Sequence, residues 1–128
     1  MKEITTGLTH TSAVTVIHAL TAEAMGSGDM PVFATPAMVT LMENAAMLAV
    51  APSLGDELTT VGGRIDVSHL KASPVGASIS ATATLTAIEG KKLTFEIVAQ
   101  EGDTIIGKGT HLRFIVDRKK FLENAGAK

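Results

Sequence analysis

The chain has no cysteine, no tryptophan and no tyrosine among its 128 residues. Without cysteine it can form no disulfide, hold no thiolate metal site and use no cysteine nucleophile, and it fits a reducing compartment. Four phenylalanines are its only aromatic residues. The stacking platforms expected of sugar or single-strand nucleic-acid binders are therefore missing. A charge excess of one sign is missing as well: 11 basic against 13 acidic side chains leave a formal net charge of −2. That balance argues against nucleic acid as a partner, and the one basic cluster, Arg118-Lys119-Lys120, reads as a helix end or solvated surface. The most apolar stretch, Pro36 to Ala51, is short of the roughly 20 apolar residues that span a bilayer, and it carries Glu43. The N-terminus Met1-Lys2-Glu3-Ile4-Thr5-Thr6 shows no apolar core of a secretory signal. The expectation is one domain, residues 1–128, soluble and cytoplasmic, without membrane contact.

What the chain does have is patterning. Gly7 to Ile17 reads as a strand, and Ala19 to Met30, with Gly26, Ser27, Gly28 and Asp29, as a loop or short mobile helix. Thr35 as N-cap and Pro36 at the first helical position open a long helix. Pro52, Ser53 and Gly55 end it. Leu58 to Leu70 forms a strand. Ala77 to Ala87 then alternates, with Ala77, Ile79, Ala81, Ala83, Leu85 and Ala87 on one face and Ser or Thr on the other. A turn at Glu89-Gly90-Lys91 leads to Leu93, Phe95, Ile97 and Ala99 facing inward. Gly102-Asp103 turns again into Thr104 to Val116, and Arg118 to Asn124 is a helical tail. A single apolar helix and an antiparallel sheet bury their faces best against each other. The expected class is α+β: a hot-dog fold, one long central helix wrapped by an antiparallel five-stranded sheet.

Glu43 is the first candidate for chemistry. A carboxylate on a helix apolar nearly all round is costly unless paired, and such acids often serve as bases or nucleophiles. The plainer reading is a narrow wet stripe of Thr40, Glu43, Asn44 and Met47. On the strand Gly62-Gly63-Arg64-Ile65-Asp66-Val67-Ser68-His69, His69 shares the face of Ile65 and Val67 and points toward the helix. It is either a core histidine satisfied by a carbonyl or the orienting partner of Glu43. Thr35 is the third candidate, beside its capping role. Thr35 and Glu43 lie about 12 Å apart along one helix and roughly 80° apart in direction, so they should not bond directly. His69, substrate or a second subunit must bridge them, and a homodimer with sites at its interface is expected. Gly107, Gly109, His111 and Arg113 share a face of the last strand. Glycines there mark a bulge or close approach, and Arg113 either holds a carboxylate or phosphate or forms a surface pair. His10 and His18 read as surface or strand-edge residues. With neither H-x-x-x-H nor H-E-x-x-H there is no metal signature, and G-x-S-x-G, P-loop and Rossmann motifs are absent. Gly62 offers a backbone N–H for an oxyanion.

Four segments in order carry a resemblance: Phe33-Ala34-Thr35-x-x-Met38-Val39-x-Leu41-Met42-Glu43, Val61-Gly62-x-x-Ile65-x-Val67-x-His69, Pro74-x-Gly76 and Gly107-x-Gly109-Thr110-His111-x-Arg113. Together they resemble the fluoroacetyl-CoA thioesterase family of hot-dog proteins, over about Leu8 to Phe121. The resemblance implies a homodimeric acyl-CoA thioesterase, possible as a tetramer, without metal or organic cofactor. It places the catalytic positions on Thr35, Glu43 and His69, a backbone contact to the acyl group on Gly62, and an arginine near the site on Arg113. Pro36, Gly63-Arg64 and Leu112 depart from the family pattern. The stretch Ala19 to Met30 has no aromatic residue, so thioester hydrolysis is carried over and fluoroacetyl specificity is not. Glu43 is expected to act as base or nucleophile on a short acyl chain, assisted by His69 and Thr35. Lys71, Lys91, Lys92 and Arg113 are candidate contacts for the coenzyme phosphates. A binding or sensing protein without turnover, and an acyl-CoA hydratase or dehydratase, are the alternatives; release of free thiol separates them.

Overall fold

Three strands form a meander at the centre of the molecule, whose computed structural model describes residues 3–126. They are β3 (Ser78–Glu89), β4 (Lys92–Glu101) and β5 (Thr104–Asp117), all antiparallel. Their tight turns place Gly90 at φ 62° and Gly102 at φ 58°, a left-handed conformation that costs glycine nothing and most other residues strain. β1 (Thr9–Thr15) pairs with the free side of β3, and β2 (Leu58–His69) with the free side of β5. The sheet order is β1-β3-β4-β5-β2, so β1 and β2 are the edges.

The inward side chains of β3 and β4, Ile79, Ala81, Ala83, Leu85, Leu93, Phe95, Ile97 and Ala99, are at most 1% exposed. The alternation stops at Leu85, earlier than its pattern implies. A bulge between Leu85 and Ala87 leaves Thr86 exposed, its hydroxyl donating to the Thr94 carbonyl at 3.2 Å.

The long helix α2 (Thr35–Val50) crosses the inner face of the sheet, chiefly over β1 and β3. It buries Ala37, Met38, Leu41, Met42, Ala45, Ala46, Ala49 and Val50. Alanines on both surfaces let the helix lie close to the sheet. Ser12 of β1 donates to Asn44 Oδ1 at 2.7 Å and fixes the helix on that edge. A 3-10 turn at Ala51–Ser53 ends α2 where Pro52 removes a donor. Ahead of α2 lie a 3-10 turn at His18–Leu20 and the short helix α1 (Ala22–Met25); α3 (Arg118–Asn124) closes the chain.

The start of α2 differs from its sequence signature. Ala34 occupies the N-cap position with no side-chain cap, and Thr35 is already helical. The threonine hydroxyl is thereby free for another partner. Ala34 is held instead by backbone bonds: Ala34 N–H to Leu20 O at 2.9 Å and Met38 N–H to Ala34 O at 3.0 Å.

Candidate active site

The partner of Thr35 is His69. Thr35 Oγ1 lies 2.8 Å from His69 Nδ1. His69 is the last residue of β2, and its ring meets Phe33 edge-on at a centroid distance of 6.4 Å. Phe33 is itself anchored by its N–H on Ser73 O at 2.9 Å, so chain order and sheet register together aim the imidazole at the first turn of α2. His69 Nε2 is buried and has no hydrogen-bond partner among the described residues. Burial lowers the pKa of His69 from its ordinary value, and the Lys71 backbone partly opposes that shift. A neutral ring with a lone pair on Nδ1 can take a proton from the Thr35 hydroxyl. The pair opens on a cavity of about 270 Å³, lined also by Ala22, Ser27, Val32, Leu70 and Lys71.

Two turns along α2, Glu43 faces a second cluster. Its side chain is 40% exposed in the chain, more open than an all-apolar helix implies. Thr40 and Asn44 are exposed, and Glu43 and Met47 half-buried, so the wet stripe at that spacing is present. Beside Glu43 stands Arg113, the less exposed partner. It is not a surface pair: at 6% exposure it is buried, and a buried cation needs partners on every donor. Nε donates to Thr60 Oγ1 at 2.8 Å and Nη2 to Thr60 O at 2.9 Å. Nη1 lies 3.2 Å from His111 Nε2 and 3.8 Å from Glu43 Oε2. Burial lowers the arginine pKa and the Glu43 carboxylate raises it.

Gly62 completes this cluster. A Cβ at Gly62 would stand 3.0 Å from Glu43 Oε2 and 3.3 Å from His111 Cε1. The missing side chain is what lets strand and carboxylate meet. The β2–β5 register shifts between Gly62 and Arg64, so Gly63 is the extra residue of a bulge on an edge strand. Gly107 and Gly109 mark close approach, as expected: a Cβ at Gly109 would sit 2.7 Å from Val67 Cα.

Five expected site residues thus fall into two groups, at the start and the middle of α2: Thr35 with His69 of β2, and Glu43 with Gly62 of β2 and Arg113 of β5. His69 bonds Thr35 rather than Glu43. Of the expected phosphate contacts only Lys71 lines the Thr35–His69 cavity; Lys91 lies in the β3–β4 turn and Lys92 opens β4. Among the described residues no cluster of three or more metal-ligating side chains occurs, and no helix is long and apolar enough to cross a membrane.

The sequence profile of fluoroacetyl-CoA-specific thioesterase, FlK, matches residues 16–119. The chain belongs to the FlK family. A curated relative, the fluoroacetyl-CoA thioesterase of Streptantibioticus cattleyicolor, is 41% identical over 90 residues, taking in 70% of this chain and 65% of the relative. A solved structure of the fluoroacetyl-CoA thioesterase FlK superposes with a TM-score of 0.89 at 32% identity, covering 97% of this chain and 96% of that one. A hot-dog-like protein from Thermanaerovibrio acidaminovorans matches with a TM-score of 0.84 at 18% identity, over 94% and 89% of the two chains, and shares the fold.

Sequence reasoning about this FlK-family chain passed over Thr60 and gave His111 no role. Thr60 carries no signal in a strand rich in threonine. His111 did: it lies two residues from Arg113, on the same inward face of β5.

Proposed function

We propose that the protein hydrolyses an acyl-CoA thioester to the free acid and CoA. The observation that carries this reading is the Thr35–His69 bond of 2.8 Å at the mouth of a cavity, two turns from a carboxylate on the same helix. Family membership supports the thioester as substrate: relatives are named for fluoroacetyl-CoA, and a variant of FlK has been solved with acetyl-CoA. The acyl groups named for these relatives, fluoroacetyl and acetyl, have two carbons, which favours a short acyl chain. A reducing compartment such as the cytoplasm is in keeping with the cysteine-free chain.

In this reading Glu43 acts on the thioester carbonyl, as base for water or as nucleophile. The Gly62 backbone and the Arg113 guanidinium face the charge that develops on oxygen. The proton that Glu43 takes from water ends on the departing thiolate, relayed by the neutral His69 ring, whose Nδ1 takes a proton up as Nε2–H gives one away. The Thr35–His69 distance also favours a second route, in which Thr35 Oγ1 attacks and passes its proton to His69 Nδ1. Among the described residues the two half-sites do not bond each other, and His69 Nε2 has no hydrogen-bond partner. We place the complete site at the interface of a homodimer, where the bare edge of β2 and the half-open face of α2 meet a second copy.

Free thiol is measured with a panel from acetyl-CoA to palmitoyl-CoA, for wild type, Glu43→Ala and His69→Ala. Release from short chains is expected, lowered at least 10²-fold by Glu43→Ala, as loss of an essential base requires. Turnover by Glu43→Ala within about tenfold of wild type sinks the assignment. Binding without thiol release from any member makes the protein a carrier.

A further inference from the structure

His111 is 1% exposed, deeper than either His69 or Glu43, and it is the one buried imidazole that the proposed reaction does not use. Both ring nitrogens are engaged. Nδ1 lies 2.7 Å from the Arg64 carbonyl, which can only accept, so that nitrogen carries the proton. Nε2 is then a bare lone pair, and the group in front of it is Arg113 Nη1 at 3.2 Å. The bulge in β2 sets this arrangement: Ile65 stands opposite His111 in the register, and the Arg64 carbonyl turns to the ring. Phe95 of β4, opposite His111 in the register, lies beside the ring with centroids 6.5 Å apart.

The charged groups facing the imidazole are Arg113 on its own strand and Glu43 from α2; β2 presents the Arg64 backbone and β4 the uncharged Phe95. Burial is the largest influence on His111 and lowers its pKa, the Arg64 carbonyl opposes, Arg113 lowers it further and Glu43 raises it. The ring is therefore neutral at and above its ordinary value of 6.5. It accepts the protonated guanidinium only in that form. A second proton would remove the lone pair and set two cations side by side.

We propose that His111 is a positioning residue: as the neutral Nδ1–H tautomer it holds the Arg113 guanidinium against Glu43 and Gly62, and protonation releases it. This rests on the reading of Glu43 as the reacting carboxylate. Arg113 has no freedom to choose another geometry while Thr60 takes Nε and Nη2 and His111 takes Nη1. A displaced guanidinium leaves both the carboxylate and the developing oxyanion without their cation.

The test compares wild type, His111→Gln, His111→Phe and Glu43→Gln, as kcat and KM from about pH 5 to about pH 9, each after a melting curve. Glutamine offers a neutral acceptor near the Nε2 position and cannot be protonated. It should keep kcat within a few-fold at high pH and lose one proton from the steepness of the acid limb, which His69 and His111 otherwise share. Phenylalanine keeps the ring and loses the acceptor, and kcat should fall about tenfold or more with KM little changed. Nitrogen-15 spectra of wild type should show the His111 ring protonated on Nδ1 alone near neutral pH. An Nε2-protonated ring, an unaltered acid limb in His111→Gln, or full kcat in His111→Phe overturns the proposal. If His111→Phe does not fold, the ring spectrum and the glutamine profile decide. Glu43→Gln separates the two possible failures. Full turnover there removes the Glu43 reading and His111 with it, whereas a dead Glu43→Gln beside an unaffected His111 series removes only the role of His111.

Discussion

At the scale of single residues, the unusual choices all lie beside the polar groups of the two clusters along α2. Thr35 gives up the capping role its position invites and keeps its hydroxyl on His69. A helix start without a side-chain cap forgoes about 1 kcal/mol, a small cost when Ala34 is held by backbone bonds on both sides. The hydroxyl is thus expected to matter for turnover more than for folding. Thr35→Ser should retain most of kcat, and Thr35→Val should lower it about 10²-fold while shifting the melting temperature by only a few degrees, since one hydrogen bond is worth about 1 kcal/mol. Comparable losses of stability and activity in Thr35→Val would make the hydroxyl structural. Gly62 belongs with these residues: the space its Cβ would need is taken by the Glu43 carboxylate and the His111 ring.

At the scale of elements, the close fit of α2 on the sheet decides where Glu43 stands. Ala45, Ala46, Ala81, Ala83 and Ala99 are all fully buried, and a larger side chain in so closely packed a layer forces helix and strands apart. Ala46→Leu should destabilise by about 1–3 kcal/mol through overpacking, read as a lowered midpoint in urea. A helix pushed outward carries Thr35 away from His69, which belongs to β2. Activity should therefore fall further than the unfolded fraction explains. An Ala46→Leu protein with wild-type midpoint and kcat would show that the interface is slack. Strand β2 supplies His69 from its end, Gly62 from its bulge and Thr60 from its start, so one edge strand serves both halves of the site.

At the scale of the whole molecule, the two halves share a helix and do not touch. Edge strand β2 has one side free of pairing, and its N–H and C=O groups are a template for a second strand. A two-fold dimer through that edge would set a second copy beside β2, the strand that carries Gly62 and His69. If each site draws Thr35 and His69 from one copy and Glu43 from its partner, mixed dimers of Thr35→Ala and Glu43→Ala chains contain one intact site. Refolding the two inactive variants together should then restore about a quarter of wild-type activity, because half the dimers are mixed and each has one working site of two. No recovery, with mixed dimers present by mass, would place each site within a single chain.

The sequence by itself determined the elements and the direction each side chain faces. Period-two alternation over β3 as far as Leu85 and over β4, the turn glycines, and the apolar helix between Thr35 and Pro52 are local signals, and they mark the elements the structure shows. Thr35, Glu43 and His69 were legible for the same reason, as polar groups set into apolar patterns, and the family resemblance rests on them. What only the tertiary structure decided was pairing. Thr35 meets His69 across 34 positions, His111 meets Arg64 across 47, and Arg113 meets Thr60 across 53. Those separations are closed by strand register, and register depends on bulges at Gly63 and Thr86 that no local pattern announced. Hence a lysine-poor sheet face gave no hint that Arg113 would be buried. Nor did a lone histidine two residues away reveal that its tautomer would be set by a carbonyl on the neighbouring strand. Periodicity tells a side chain which way to point; only the packed sheet supplies the atom it points at.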